Sequence, residues 1–511
     1  MSAGPRKGRP VNAGGSMILQ EVLTGVRLRT ELTPEAAQIV VKGLEYDSRK
    51  VTSQTLFFAF QGQKADGRQF AGQALERGAS AIVSESAKPE GFEGVWIEVE
   101  HGREALAQSS RNFYGAPDDR ITLIGITGTN GKTTTSYLVD SIFRDAGELT
   151  ALVGTIEIHV AGDVRKTKNT TPDSLDVFRI LSELDHRGGR HATMEVSSHA
   201  LALGRVYGIH FQTAVFTNLT RDHLDYHRTM EQYFAAKHRL FEGCGCPPPR
   251  FAILNEDDEY GRAIATAPGT ERITYGIERE AALRALNISS GLNGLEFDVT
   301  YGGKRTRIRS SMVGTINVYN IVAAFGAGLA QGYEMDQIAH GIEQCHAVPG
   351  RFERVDEGQP FLIIVDYAHT DDALRNAIRA ARGLSPRRII TLFGCGGDRD
   401  RTKRPLMGAA AAELSDYVVL TSDNPRSEDP LAIMNDAMVG LRRFETPHHA
   451  EPDRETAIRR AIEEAQPGDI VILAGKGHED YQVLNDRTIE FDDREVARRI
   501  LRGFGYRREK A

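Results

Sequence analysis

Only four cysteines and one tryptophan occur among 511 residues, and no apolar run is long enough to span a bilayer. So few thiols in so long a chain exclude a disulfide-built scaffold and point to a reducing compartment, and the protein is expected in the cytoplasm. Cys244 and Cys246, in GCGCPPP, stand one residue apart without nearby partners, the pattern of a loop with free thiols rather than a metal knuckle. Excess positive charge is lacking as well. The 63 Lys and Arg face 70 Asp and Glu, a net charge of −7, which leaves no electrostatic footprint for nucleic acid or an anionic membrane. The opening stretch, MSAGPRKGRPVNAGGS, is basic and rich in Gly and Pro but has no apolar core of the kind a secretory signal needs. Residues 1–17 are therefore expected to be a disordered leader, and Met17 offers an alternative start.

What is present is a globular composition, 40% hydrophobic and 26% charged. At about 150 residues per domain the length suggests three domains, placed by changes of pattern at 18–117, 118–348 and 349–511. The expected fold class is α/β. A central P-loop-type mononucleotide-binding parallel sheet is flanked by an N-terminal α/β domain and a C-terminal Rossmann-like α/β domain. In the middle segment the strand-like runs are Ile121–Thr127, His191–Val196, Thr213–Thr217 and Phe251–Leu254. In the last they are Phe361–Asp366, Arg388–Phe393, Tyr417–Thr421 and Asp469–Ala474, with amphipathic helices expected at Asp372–Arg382 and Glu455–Ala465. Polar clusters follow these strands: Asn169 to Thr171, Glu195 with Ser197 and His199, Asn218 to His227, Asp366 to His369, Gly394 to Arg399, Ser422 to Arg426 and Gly475 to Glu479. Ligands gather outside the carboxyl ends of strands in open α/β sheets, so the placement itself argues for a site. In the first segment, the polar loop Gln61 to Gly67 after LFFAF suits binding a ligand rather than transforming one.

The stretch ITLIGITGTNGKTTT is a buried strand that breaks into a glycine-rich turn and opens a helix. Gly128 and Gly131 let the backbone turn N–H groups inward around Thr129 and Asn130, and a helix N-terminus adds partial positive charge, the requirements of a phosphate cradle. Lys132 is then expected on the terminal phosphates of a nucleotide, with Thr133 holding Mg²⁺ beside Thr134. Ile126 stands where the general pattern has its first glycine, and the alternative is an ordinary strand-to-helix turn. Glu195, at a strand end, is a fitting ligand or water anchor for Mg²⁺. Asp222, His223, Asp225 and His227 offer further oxygen and imidazole donors, with zinc or a solvated loop as the alternative. Lys237, in FAAKHRLF, reads on composition as a solvated helix lysine. Near the C-terminus Arg399, Arg426 and Lys476 follow strands and suit a carboxylate, and Glu479 suits an ammonium, so this sheet edge fits a zwitterionic amino acid unless the charges are ordinary surface pairs.

The ordered set GTNGKTTT, NTTP, MEVSSHALALGRV, TNLTRDHLDYH, AAKHRLF, PGRFE, DYAHT, LFGCGGDRDRTKRPLM, SDNPRSEDP and AGKGHEDYQ resembles the Mur ligases of peptidoglycan synthesis, from about Asp47 to Asp493. Within them it resembles the branch that adds meso-diaminopimelate to UDP-N-acetylmuramoyl-L-alanyl-D-glutamate. The resemblance implies ATP and Mg²⁺, small-molecule substrates, no nucleic acid or membrane partner, and a chain working as a monomer. It implies that Tyr46, Ser48, Gln63, Lys64 and Ala65 hold the UDP part, and that Asn169, Thr170, Thr171, Ser197 and Arg205 contact the muramoyl peptide. It implies that Lys237 is carboxylated to a carbamate that ligates a second Mg²⁺, which overturns the solvated-lysine reading. It also brings Asn320 and Arg351 to the nucleotide with Asp366 and His369 nearby. Around diaminopimelate it places Arg399, Asp423, Asn424, Pro425, Arg426, Gly475 and Glu479, with Arg426 discriminating against lysine. Lys132, Glu195, His223 and Lys237 form the expected catalytic set.

Three positions depart from that pattern: Leu203 where some members carry glutamine, TSQTLFF without the usual glycine and aspartate, and Asp371 where proline is common. The implied reaction is ATP-dependent amide formation through an acyl phosphate. The rivals are a lysine-adding ligase, a folylpolyglutamate synthase, and a P-loop ATPase that binds a protein partner.

Overall fold

The structure, a computed structural model, describes residues 15–61, 66–291 and 294–507. Among the described residues three large sheets, each with its own helices, divide the chain, beside two two-stranded ribbons. The first is four-stranded and parallel, ordered Gly43–Glu45, Thr55–Phe58, Ala79–Ser84 and Trp96–Glu98. TLFF is buried at all four positions, which is why its sequence shows no alternation. Met17 and Ile18 pair antiparallel with Val41 and Val40, so Met17, expected in the leader, is part of the folded chain.

The helix Ser174–His186 fastens this domain to the next. Its Arg179 Nη2 donates to the Leu44 carbonyl at 2.8 Å and to Glu45 Oε1 at 2.7 Å, and Nε donates to the Tyr114 hydroxyl at 3.0 Å. One turn earlier, Asp176 accepts from the Tyr46 hydroxyl at 2.6 Å.

The central sheet has eleven strands. Its middle runs Thr150–Val153, His191–Glu195, Thr122–Thr127, Thr213–Phe216, Phe251–Asn255 and Glu271–Gly276, all parallel. The four strands expected here begin and end within a residue of the observed ones. Both edges were not foreseen. Glu157–Val160 and Asp163–Lys166 form a hairpin at one side; at the other Leu283–Gly291 joins Glu271–Gly276 in parallel, and Gly294–Tyr301 and Lys304–Ser310 continue antiparallel. From Thr122–Thr127 the chain crosses first to one side of the sheet and later to the other, so the carboxyl end of that strand opens on a crevice at the topological switch point. The helices Lys132–Asp145 and Thr315–Ala330 cover one face through Leu138, Val139, Ile142, Val318, Ile321 and Phe325. Helix Met230–Glu242 covers the other with Tyr233, Leu240 and Phe241.

The third sheet is six-stranded, ordered Glu353–Val355, Leu362–Asp366, Ile470–Ala474, Ile389–Cys395, Tyr417–Ser422 and His448–Glu451, and only its first strand is antiparallel. Apolar clusters on both faces leave IVILA buried at every position, as a doubly covered parallel strand requires. Among the described residues no helix is long and apolar enough to cross a membrane.

Candidate active site

The loop after Thr127 is shaped by two glycines that nothing larger can replace. Gly131 has φ +87°, and a Cβ there would lie 2.3 Å from Asn320 Oδ1; at Gly128 it would lie 1.8 Å from Thr217 Oγ1. The tip is tied to the next strand end: Thr129 N donates to the Asn218 carbonyl at 2.8 Å, Asn130 N to Asn218 Oδ1 at 3.0 Å, and Thr217 Oγ1 to the Asn130 carbonyl at 2.6 Å. Ile126, which breaks the general pattern, still belongs to the strand, paired with Glu195 and fully buried. Lys132 opens the helix, and its ammonium donates to the Gly128 and Thr129 carbonyls at 2.9 and 2.8 Å, with burial lowering its pKa.

Glu195 is fully buried and accepts from the Thr133 hydroxyl at 3.0 Å, from Thr155 N at 2.7 Å and from the Thr155 hydroxyl at 3.1 Å. A hydroxyl and a carboxylate beside a phosphate loop are hard oxygen donors, the set that fits Mg²⁺. Among the described residues no three His, Cys, Asp or Glu side chains gather as a metal cage. Of the acid and imidazole run, only Asp222 and His223 line the cleft. His227 is buried behind it, with Nε2 2.9 Å from the Ser198 hydroxyl, so it is not among the donors the sequence suggested.

Lys237 corrects the composition-based reading: it is 1% exposed, with Nζ 2.7 Å from the Gly128 carbonyl and 4.7 Å from the centroid of the Tyr233 ring. Burial, and then the nearby Lys132 charge, hold its pKa well below that of an ordinary lysine.

A cleft of about 350 Å³ runs between the central and C-terminal domains. Thr129, Asn130, Gly131, Lys132, Thr133, Thr134, Glu195 and Asn320 line it from one side, and Arg351, Asp366 and His369 from the other. The Arg351 guanidinium lies 4.8 Å from the Tyr367 ring centroid, and Asp366 accepts from Phe352 N and Ala368 N at 2.8 and 2.9 Å. Burial raises the Asp366 pKa. A second depression shares Ile316 and Asn320 with this cleft and adds Asn218, Asn255, Asp257 and Tyr319. It was missed, although its signal, polar residues just past the buried strand Phe251–Asn255, is the one that found the other clusters.

Thr170 and Ser197 line the same cleft. Thr171 Oγ1 donates to the Glu195 carbonyl at 2.9 Å and accepts from Ser197 N at 3.0 Å. Arg205 Nη1 donates to the Thr171 carbonyl at 3.2 Å, while its Nε, buried without a hydrogen bond, lies 3.8 Å from Asp173 Oδ2. Asn169 is exposed nearby. In the first domain Ser48 Oγ donates to Gln73 Oε1 at 2.8 Å, and the Tyr46 hydroxyl is taken by Asp176. Gln63, Lys64 and Ala65 lie outside the described residues.

At the C-terminal sheet edge, Arg426 adopts φ +53° and sends Nη1 to the Gly397 carbonyl at 2.7 Å. A Cβ on Gly396 would lie 3.0 Å from Arg426 Nη1 and 3.7 Å from Arg399 Cγ, so the two arginines flank one glycine. Asn424 Nδ2 donates to Glu479 Oε2 at 2.9 Å, and Gly475 packs so close that a Cβ would lie 2.7 Å from Asp423 Oδ2. Pro425 is buried between them. Lys476 departs from the expected role: it is fully buried, with Nζ 3.4 Å from both Asn424 Oδ1 and Glu479 Oε2. It braces Glu479 instead of facing a ligand.

Sequence reading also missed Arg454, a helix residue that resembles surface charge. It is buried with Asp493 at 2.6 Å, and its guanidinium donates to the Ser422 and Ala474 carbonyls at 3.2 and 3.0 Å, the two strand ends from which the arginine and glutamate loops depart.

Family models match three stretches: a Mur ligase family catalytic domain at residues 40–114, a Mur ligase middle domain at 126–328, and a Mur ligase glutamate ligase domain at 350–477. The chain belongs to the Mur ligase family. A UDP-N-acetylmuramoyl-L-alanyl-D-glutamate–2,6-diaminopimelate ligase from Solibacter usitatus is 64% identical over 490 residues, 96% of this chain and 99% of its own length. A Geobacillus thermodenitrificans ligase of the same name is 46% identical over 90% of this chain and 95% of its own. Among solved structures, a ligase of that name superposes with TM-score 0.70 at 32% identity, covering 96% of this chain and all of the other. The phosphate loop, the Lys237 pocket and the arginine-flanked sheet edge thus lie in a Mur ligase whose first and last large sheets fall within matched stretches, the central one starting at Thr122, just ahead of its own.

Proposed function

We propose that this Mur ligase joins the γ-carboxylate of the D-glutamyl residue of UDP-N-acetylmuramoyl-L-alanyl-D-glutamate to the free amine of meso-diaminopimelate, with ATP cleaved to ADP and phosphate. The observation that carries the reading is the cleft in which a phosphate loop on one domain faces Arg351, Asp366 and His369 on the next. Arg399 and Arg426 stand at the neighbouring sheet edge.

The carboxylate attacks the γ-phosphoryl group and ADP leaves, giving an acyl phosphate. The amine then attacks the acyl carbon, and phosphate departs from the tetrahedral intermediate. Lys132 and the N-terminus of its helix bind the phosphates and disperse their charge, and Arg351 meets the nucleotide from the facing domain. The depression lined by Asn255, Asp257 and Tyr319 receives the base end. Arg205, beside Asp173, orients the peptide carboxylates, and Thr171 and Ser197 frame the path to the phosphate loop. The first domain takes the UDP group, with Ser48 at its strand end.

Thr133, Glu195 and a carboxylated Lys237 would hold Mg²⁺, which supplies charge neutralisation for phosphoryl transfer. Lys237 suits that modification because burial, with the Lys132 charge, lowers its pKa well below that of an ordinary lysine and so favours the neutral amine that adds to CO₂. His223, which burial holds below its usual pKa, remains available as a neutral imidazole at the cleft. Arg426 sets the choice of amine. The distant carboxylate of diaminopimelate pairs with a guanidinium that lysine would leave unsatisfied, a difference worth up to about 10⁴ in selectivity. The reading takes the working unit as a monomer, with small molecules as its partners and the cytoplasm as its place.

The test is ADP release measured with each substrate omitted in turn. Turnover is expected only with the UDP dipeptide and diaminopimelate together, and release at full speed without the amine would overturn the proposal.

A further inference from the structure

Thr220 and Asp372 belong to different domains, and their side chains meet across the cleft. Thr220 follows the strand Thr213–Phe216, and its main chain already braces the phosphate loop: its N–H donates to Thr129 Oγ1 at 3.0 Å, and its carbonyl accepts from the same hydroxyl at 3.3 Å. That work is done by backbone atoms, which leaves the Thr220 hydroxyl free to point across the cleft. There it donates to Asp372 Oδ2 at 2.9 Å, while accepting from Asn130 Nδ2 at 3.4 Å. Asp372 is the second residue of helix Asp371–Arg382 in the C-terminal domain, a helix capped by Thr370 Oγ1 accepting from Ala373 N at 3.2 Å and carrying a further acid, Asp371, in its first turn. The helix therefore does not depend on Asp372. Its carboxylate lines the nucleotide cleft, aimed by Asn376 Nδ2 at 3.1 Å.

A bare carboxylate beside a triphosphate site is unfavourable unless something fixes it, and here two donors do. The consequence is a direct line from the amino-acid-binding domain to the phosphate loop: helix Asp371–Arg382, Asp372, Thr220, then Thr129 and Asn130. We infer that Thr220 and Asp372 are a positioning pair that sets the C-terminal domain over the phosphate loop, aligning the amine with the acyl phosphate without touching either substrate. The inference rests on the ligase reading above and adds to it two residues that the reading does not use.

The test compares Thr220→Val, Thr220→Ser, Asp372→Ala and the Thr220→Val/Asp372→Ala double variant in the full chain. Valine keeps the backbone bonds to Thr129 and removes only the hydroxyl. A hydrogen bond to a charged group is expected to be worth about tenfold or more. Thr220→Val should therefore lower kcat by about tenfold and raise the KM for diaminopimelate, with the Kd for AMP-PNP changed less than about twofold. Serine should restore kcat, and the double variant should lose no more than either single one, since both remove the same bond. Full kcat in Thr220→Val, additive losses, serine no better than valine, or an AMP-PNP affinity that falls in step with kcat would each overturn the pairing.

Failure of the ligase reading would show in the parent chain, as ADP release indifferent to the amine. The pairing has a readout independent of that: small-angle scattering with AMP-PNP should find the parent and Thr220→Ser more compact than Thr220→Val. Equal dimensions for all three would contradict it.

Discussion

Lys132 and Lys237 donate to one acceptor, the Gly128 carbonyl oxygen, at 2.9 and 2.7 Å. Two ammonium groups on one oxygen, both buried, repel each other strongly in a low-dielectric site. A carboxylate acts to keep each charge, Glu195 for Lys132 and Asp222 for Lys237, but for Lys237 the Lys132 charge outweighs it and is the largest influence after burial itself. Lys237 is thus held well below the ordinary lysine range, which favours the neutral amine that reacts with CO₂.

The carbamate is the first prediction. In the full chain, ¹³C-labelled bicarbonate should give a carbamate signal that Lys237→Met lacks, and the variant should lose at least about 10²-fold in kcat, as expected when a preorganised charge is removed from a transition state. Undiminished activity in Lys237→Met would remove this residue from the mechanism.

Arg426→Ala should cost most of the preference for diaminopimelate over lysine, chiefly by raising KM for diaminopimelate. The left-handed backbone at Arg426 and its bond to the Gly397 carbonyl fix the guanidinium beside Gly396. Competition between the two amines, read by mass spectrometry of the product, checks it; unchanged selectivity would transfer the role to Arg399.

Arg454 and Asp493 test what lies under the amino-acid loops. Both side chains are fully buried, so Asp493→Ala leaves an unpaired internal cation and should destabilise the chain by about 3–5 kcal/mol. Because Arg454 also holds the Ser422 and Ala474 carbonyls, the amine KM should rise while ATP binding holds. Denaturant unfolding with substrate titrations separates the two effects.

His478, beside Glu479, gives a pH dependence with a definite sign. Burial, then the Arg351 and Arg494 charges, lower its pKa from 6.5 to about 4. The unfolded chain takes up this proton near pH 6.5 and the folded chain only near pH 4, so its contribution to stability is complete above pH 6.5 and is lost as pH falls from 6.5 towards 4. Melting temperature recorded across that window should fall less steeply for His478→Asn than for the parent.

The parallel strands were legible because they are covered on both faces, as in Thr213–Phe216 or Ile470–Ala474, and read as unbroken apolar runs. The antiparallel edges were not, since Leu283–Gly291 and Lys304–Ser310 mix polar and apolar residues in stretches that look like loop. In the site, glycines and lysine spaced as in GTNGKTTT carry their own chemistry. Lys237, Lys476 and Arg454 do not: each is a cation in or beside an ordinary-looking helix or loop, and only packing reveals that it is buried. Resemblance to relatives supplied Lys237, whereas Arg454 and the Thr220–Asp372 contact required the fold.

The central claim is that phosphate transfer to a carboxylate precedes its capture by an amine with a second acid head. Positional isotope exchange reads it directly, with ATP labelled at the β,γ-bridging oxygen and the UDP dipeptide present but the amine withheld. The account predicts scrambling of the label that requires the dipeptide, and net ADP release only once diaminopimelate is added. Rapid ADP release with neither dipeptide nor amine would contradict it.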